Sequence, residues 1–367
     1  MKKKEKVAID LFAGAGGLSC GLEKEGIEVR LAVEIWDTAA DTYEKNLNNC
    51  VIKKDIRKVT GKEILNKIGI KKRQLFLLAG CPPCQGFSTH KRKKTSKDTE
   101  RNVLGLEYAR LINEIKPLFI LMENVPGMQR DKKILSKIIS KLNSYGYIVK
   151  KKILNAADFG VPQTRKRLVL HGVREDIYRK MEKYNIDLDF PRPTHSNPKK
   201  RDNENTNTWK TVRQVIQKYP QLNAGERHEI IPNHVCANLS EINIKRIKII
   251  RQGGGSRDVL PEELRLKCHQ KENVGYKDTY GIMKWDEPAP TLTGGCLSYS
   301  KGRYGHPQQN RAISAREAAA IQTFSDNFIF KGNLHEMAIQ IGNAVPVDLA
   351  AASGRYFVEL GEKLGVI

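Results

Sequence analysis

The sequence predicts an α/β fold: a doubly wound, mostly parallel sheet joined to a smaller, loop-rich domain. Three observations predict it. Short apolar stretches alternate with segments of helical period through the first half of the chain. A glycine-rich loop, Asp10-Leu11-Phe12-Ala13-Gly14-Ala15-Gly16-Gly17, stands between the first stretch and the first helical segment. Two later stretches, Leu75-Phe76-Leu77-Leu78-Ala79 and Leu118-Phe119-Ile120-Leu121-Met122, lead directly into Cys84 and Glu123. Ligands in such sheets gather at the carboxyl ends of the strands, where both side chains would fall.

The elements follow in order. Residues 7–12 read as a strand and 14–25 as a helix that closes at Gly26. Residues 29–34 are the next strand and 37–47 the next helix. Asp55 stands at the candidate end of a third strand. Strands are expected at 75–79 and 118–122. Between them, Leu104, Tyr108, Leu111, Ile112 and Ile115 mark a helix face that Pro117 terminates. Ile134, Leu135, Ile138, Ile139 and Leu142 mark another, closing near Gly146, and residues 147–154 and 167–173 read as further strands. After about residue 185 the pattern changes to a run rich in Pro, Asn, Lys and Arg, with glycines at 253–255 and 294–295. Residues 186–329 are therefore expected to form the second domain. Helical period returns at 314–323 and from Asp348.

Composition narrows the function. The chain has 367 residues, and 64 Lys+Arg against 41 Asp+Glu give a net charge of +23. That excess favours a polyanionic partner, nucleic acid first, although a lysine-rich source would also produce it. Seven scattered cysteines do not form a disulfide framework. No signal core or membrane-length apolar run is present, so a cytoplasmic protein with reduced thiols is expected.

The glycine loop lets a ligand approach the backbone closely at a helix N-terminus. It is not G-x-G-x-x-G, because Ser19 takes the last place. That disfavours a dinucleotide and a nicotinamide-dependent oxidoreductase. Two acids suit an adenosine: Glu34 for the ribose hydroxyls and Asp55 for the adenine amino group. Trp36 is a candidate to pack on the adenine. Each also has a plainer reading, as surface carboxylates or core packing. Cys81-Pro82-Pro83-Cys84 is a C-x-x-C, which can mark a redox pair or half a metal site. No second such pair exists to complete a metal site, and a redox pair would not explain Glu123 or the arginines.

With Pro83-Cys84-Gln85 and Glu123-Asn124-Val125 in place, the chain resembles the DNA (cytosine-5)-methyltransferase family of bacterial restriction-modification type. Asp10 to Gly17 resembles the family's first motif, and Gln163-Thr164-Arg165-Lys166-Arg167 its Q-x-R-x-R. The run from Arg311 through Glu317 to Phe324 resembles its ninth motif, and Gln340-Ile341-Gly342-Asn343-Ala344-Val345-Pro346 its last. Ser325 and Ile313-Ser314 depart slightly from the usual residues. The resemblance implies a Rossmann-like S-adenosylmethionine-dependent sheet over 1–185, target recognition over 186–329, and a return of 330–367 to the catalytic domain.

The resemblance also implies roles. Cys84 adds to carbon 6 of cytosine, which turns carbon 5 into an enamine carbon able to take a methyl group. Glu123 supplies an acid at ring nitrogen 3. Arg167 binds the cytosine carbonyl, and Arg165, expected to point the same way on a strand, holds the Cys84 loop or a phosphate. Asp10, Phe12, Gly14, Gly16, Gly17, Glu34, Trp36, Asp55, Ile56, Pro82, Asn343 and Ala344 would bind the cofactor, leaving S-adenosylhomocysteine as product. Gln85, Ser88, Asn124, Thr291 and Leu292 would bind the substrate, with no metal. The partner is double-stranded DNA, its target cytosine flipped out. A monomer paired with a restriction endonuclease is expected. The basic stretch from His90 to Lys97 is read as a loop beside the thiol. The segment from His90 to Arg101 would close over the base, with Gly86 and Gly105 as hinges. An RNA-methylating relative is the alternative, but its Cys-Phe-Thr tripeptide is missing. A non-catalytic DNA-binding relative would be expected to lose Cys84 or Glu123, and both are present.

Overall fold

Runs in which every residue is apolar or small become central strands, because both faces of such a strand must be covered. The computed structural model describes residues 5–83, 96–130, 132–199, 206–270 and 278–367. Strands β1 (Val7–Leu11), β2 (Glu28–Glu34), β3 (Cys50–Lys53), β4 (Leu77–Gly80), β5 (Phe119–Asn124), β6 (Tyr147–Asn155) and β7 (Lys166–Arg174) form a sheet of order β3-β2-β1-β4-β5-β7-β6. The β1, β4 and β5 strands are buried throughout. Strands β1 to β5 run parallel, and β7 runs antiparallel to both its neighbours. The expected mostly parallel α/β sheet is therefore present, with one reversed strand inserted.

Helices α1 (Gly17–Lys24), α2 (Asp37–Asn46), α3 (Gly61–Ile68), α4 (Ser96–Ile115) and α5 (Lys132–Ser144) fill the crossovers, and α6 (Glu175–Lys183) follows β7. The first helix starts three residues later than expected, because Phe12, Gly14 and Gly16 all take positive φ and form a turn first. The fourth begins at Ser96, inside the stretch expected to be a loop. Gly105 lies within it, and a Cβ there would stand 2.5 Å from Ile138 Cδ1. It is a close-packing position between helices and not a hinge. The core joins Ile9, Leu31, Leu78, Tyr108, Ile112, Ile120 and Ile138, among others.

The chain divides into two compact units. One holds the chain through Phe159, Lys166–Thr194 and Val345–Ile367; the other holds Gly160–Arg165 and His195–Ala344. The expected breaks after residues 185 and 329 fall short of these. The first unit ends in α11 (Val347–Lys363), which lies on α1 so closely that a Cβ on Gly21 would meet Ala350 Cβ at 2.4 Å. Lys24 pairs with Asp348, and Arg355 with Glu25.

The second unit carries the short pair β8 (His195–Ser196) and β9 (Asn207–Thr208) and helices α7 (Val212–Ile216), α8 (Glu241–Gln252), α9 (Ala315–Ile321) and α10 (Leu334–Asn343). Ile247, Ile250, Leu260, Tyr280, Ile282, Tyr299 and Ala312 form one of its apolar clusters. A buried Arg311–Glu317 pair, 2.7 Å apart, sits at the start of α9 beside the Ser314 capping box.

Candidate active site

In the first unit, β1 ends at Asp10 and Leu11, and the chain turns through the glycine loop into α1. Ala13 N–H donates to Val33 O, which ties the loop to β2. Glu34, at the end of β2, accepts from the backbone N–H groups of Gly14 (2.8 Å), Ile35 (2.9 Å) and Trp36 (2.7 Å). Its carboxylate thus holds the loop, and of about four acceptor sites these bonds take three. Beyond Gly14, the position of a Cβ is open space.

Asp10 is fully buried. Its Oδ2 accepts from Ser19 Oγ at 2.7 Å, and Ser19 Oγ accepts from Tyr43 Oη at 2.8 Å. Its Oδ1 has no hydrogen-bond partner among the described residues. Burial pushes the Asp10 carboxyl up to about 7, and nearby Glu34 adds to the rise.

The remaining expected cofactor residues fall as follows. Gly16 (φ 94°) caps α1, and a Cβ there would press on Leu47 and Tyr43. Gly17 opens the helix and is buried. Phe12 packs against the core. Trp36 is half-buried at the N-cap of α2. Asp55 caps a short helical turn, accepting from Arg57 N–H, and its bond with the Arg57 guanidinium holds its carboxyl low. Ile56 is buried, and its carbonyl accepts from Arg110.

The ends of β4 and β5 meet. Asn124 Nδ2 donates to Pro82 O at 3.1 Å, and Asn124 Oδ1 accepts from Val125 N–H. This fixes the segment that leads toward Cys84. Cys84, Gln85, Gly86, Ser88 and His90 themselves lie outside the described residues. Glu123 Oε1 pairs with Arg167 Nε at 2.8 Å, and both side chains are about nine-tenths buried. The antiparallel register of β5 and β7 brings the two together: Glu123 lies opposite Val169 and Asn124 opposite Leu168.

Arg165 departs from expectation. Strand β7 begins at Lys166, so Arg165 and Arg167 do not share a strand face. In the second unit the Arg165 guanidinium, in a residue only 1% exposed, donates to Leu292 O (2.6 Å), Gly342 O (2.8 Å) and Ala344 O (3.1 Å). It is a structural clamp. Gln163 works beside it, accepting from Leu292 N–H and donating to Gln322 Oε1, each at 2.8 Å. Gln322 in turn donates to Ile341 O. Thr291 Oγ1 donates to Thr164 O, and Leu292 is buried. Asn343 is exposed and Ala344 half-buried at the end of α10.

A family model, C-5 cytosine-specific DNA methylase, matches residues 7–358. The chain belongs to this family. It is a DNA (cytosine-5)-methyltransferase similar to enzymes of bacterial Type II restriction-modification systems. It is 38% identical over 361 residues to the Type II methylase M.HgiDII of Herpetosiphon aurantiacus, covering 96% of this chain and 95% of that one. It is 35% identical to the Type II methyltransferase M1.HphI of Haemophilus parahaemolyticus, over 94% and 84% of the two chains. Among solved structures, a prophage-encoded DNA modification methyltransferase of E. coli superposes with a TM-score of 0.70 at 23% identity, over 97% of this chain and 99% of that one. The S. pombe Dnmt2 methyltransferase gives 0.58 at 17%, over 98% and 99%. These likenesses show the fold.

The family uses S-adenosylmethionine. The methyltransferase site suits such a ligand, since the space where a Gly14 Cβ would stand is open and Asp10 Oδ1 is an unused acceptor. The sequence reading missed Ile35, which is 64% exposed next to the loop-holding Glu34. An apolar residue between a strand-end acid and a helix N-cap was the available signal. Among the described residues no cluster could hold a metal ion, and no helix is long and apolar enough to cross a membrane.

Proposed function

We propose that this methyltransferase modifies carbon 5 of one cytosine within a specific double-stranded DNA sequence, through covalent addition of Cys84. The observation that carries the reading is the joined end of β4 and β5, where Asn124 holds the Pro82 carbonyl two residues before Cys84 and Glu123 pairs with Arg167. Carbon 5 of an aromatic pyrimidine is a poor nucleophile. Attack of the Cys84 thiolate on carbon 6 breaks the aromaticity and makes carbon 5 nucleophilic. Electron density moves toward ring nitrogen 3, where Glu123 meets it with a hydrogen bond and a proton. Arg167 orients Glu123 and binds the ring carbonyl. S-adenosylmethionine, when bound, supplies the electrophilic methyl group. A base, for which water serves, then takes the carbon 5 proton, and the electron pair left behind expels the Cys84 thiolate from carbon 6 and restores the ring.

The cofactor would lie along the Gly14 backbone, with Asp10 Oδ1 and the remaining acceptor site of Glu34 taking its N–H and O–H donors and Ile35 or Trp36 covering its base. Asp55 and the backbone of Ile56 and Pro82 would complete the pocket. Side chains of the second unit, Thr291 and Leu292 among its residues, would read base edges of the target. The net charge of +23 suits a duplex whose phosphates must be held while a nucleotide is turned out. The match of residues 7–358 to the C-5 cytosine-specific DNA methylase family favours DNA over RNA as substrate. A monomer in the cytoplasm, protecting DNA from a partner endonuclease, completes the proposal.

The test is expression in a host free of cytosine methylation, followed by bisulfite mapping of the genome. Protected cytosines in one recurring sequence are expected. A methyl group found on an exocyclic amine or on adenine would overturn the reading.

A further inference from the structure

At the end of the strands opposite the glycine loop, the first unit has a pocket of about 200 Å³. Arg73 precedes β4, Lys116 precedes β5, Gly146 precedes β6, and Arg174 ends the reversed β7, so the topology gathers them there. Four cations, Arg73, Lys116, Arg174 and Arg179, share the lining with two carboxylates, Glu175 and Asp176.

Asp176 serves two guanidiniums, Arg174 at 2.7 Å and Arg73 at 2.9 Å. Arg179 pairs with Glu175 at 2.6 Å. Lys116 Nζ donates to Tyr145 O at 2.7 Å and has no carboxylate partner among the described residues. Partial burial holds the Lys116 ammonium low, and Lys72, Arg73 and Arg174 add to the depression. Positive charge at this point is therefore uncompensated. The buried Arg174 also donates to the carbonyls of Lys116 and Arg73, which fixes the two segments.

Both of those residues take left-handed backbone conformations, with φ of 74° at Arg73 and 57° at Lys116. A helix end of this kind favours glycine, yet α4 is followed by a lysine that lines the pocket. Strain of this sort collects at ligand sites.

We propose that this pocket binds a phosphate dianion, either free or as a terminal phosphomonoester. The lining carries two positive charges in excess, which matches a dianion. Arginine forks and an ammonium are the donors that phosphate prefers. The site is separate from the methyl-transfer chemistry and does not depend on it.

Calorimetric titration of the full chain with inorganic phosphate, against sodium chloride of equal ionic strength, tests the proposal. One-to-one binding is expected, weakened about tenfold or more by Arg179→Gln and by Lys116→Gln, with methyl transfer unchanged. Arg179 has a side chain 71% exposed, so its variant will fold even if the lysine variant does not. No binding above the chloride control, or binding of wild-type strength in Arg179→Gln, would overturn the assignment. A 5′-phosphorylated trinucleotide and its unphosphorylated twin identify the source. Displacement of phosphate by the first alone assigns a phosphomonoester end, and displacement by neither assigns the free anion. Equal displacement by both would refute a dianion site.

Discussion

Arg167 Nε stands 2.8 Å from Glu123 Oε1 across two antiparallel strands, with both side chains nearly out of solvent. A guanidinium so placed holds the acid's orientation before any base arrives. Glu123→Gln keeps an acceptor oxygen for Arg167 but loses the proton. Methyl transfer should fall by about 10²–10⁴-fold, with DNA affinity little changed and the melting temperature lowered, because a neutral amide leaves the buried Arg167 charge uncompensated. Single-turnover kinetics beside a thermal melt will check this; a loss of less than tenfold would remove Glu123 from the chemistry.

Cys84→Ala should abolish methyl transfer and retain DNA binding. Cys84→Ser should be nearly as inactive, because a hydroxyl is far less nucleophilic at neutral pH. DNA with 5-fluorocytosine at the target should trap a covalent adduct, visible as a shifted band on a denaturing gel. Turnover by the alanine variant, or no trapped species with wild type, would defeat the covalent route.

Two buried groups of the first unit oppose each other in pH. Burial raises Asp10 from 3.8 to about 7, so the native state binds its proton more tightly than the unfolded chain. This favours folding at low pH, and the advantage is lost as pH rises from 3.8 toward 7. His171 is buried against Phe190, Tyr356 and Phe357 and is lowered from 6.5 to about 4. Here the unfolded chain binds the proton, so stability is lost as pH falls from 6.5 toward 4. Each slope is about 1.4 kcal/mol per pH unit, with opposite sign. Asp10→Asn should therefore steepen the loss of stability in acid, and His171→Phe should reverse it. Urea unfolding of both variants across this range is the measurement, and parallel pH profiles for wild type and Asp10→Asn would contradict the assignment.

Arg165→Met should act on stability, since it leaves the buried carbonyls of Leu292 and Gly342 without this donor, while Ala344 O keeps Gln322. A loss of about 2 kcal/mol or more is expected, at about 1–3 kcal/mol for each such group. Turnover per correctly folded molecule should stay near that of wild type. A rate defect with unchanged unfolding midpoint would return Arg165 to a direct role.

Local pattern explains which features could be read from the sequence. Strands β1, β4 and β5 are built on apolar runs, with the glycine loop directly after β1 and Glu123 in the last two residues of β5, so their place at the strand ends was legible. The reversal of β7 was not, because an apolar strand reads alike in either direction. Arg165 was misread because its partners, Leu292, Gly342 and Ala344, lie 127 to 179 residues away. Spacing two from Arg167 said nothing about where the strand would begin. Helix α10 was overlooked although Asn333 and Glu336 form a capping box, a signal present in the sequence.

The seating of α11 on α1 has a consequence for how the enzyme is made. Lys24 and Val347 are separated by 323 residues, so the helix that follows the glycine loop leaves the ribosome long before the one that covers it. At roughly 5–20 residues per second, the gap lasts from about a quarter of a minute to a minute. During that interval the face bearing Gly21 is bare. A nascent chain thus holds an unfinished first unit, and methylating competence arrives only once α11 has been made.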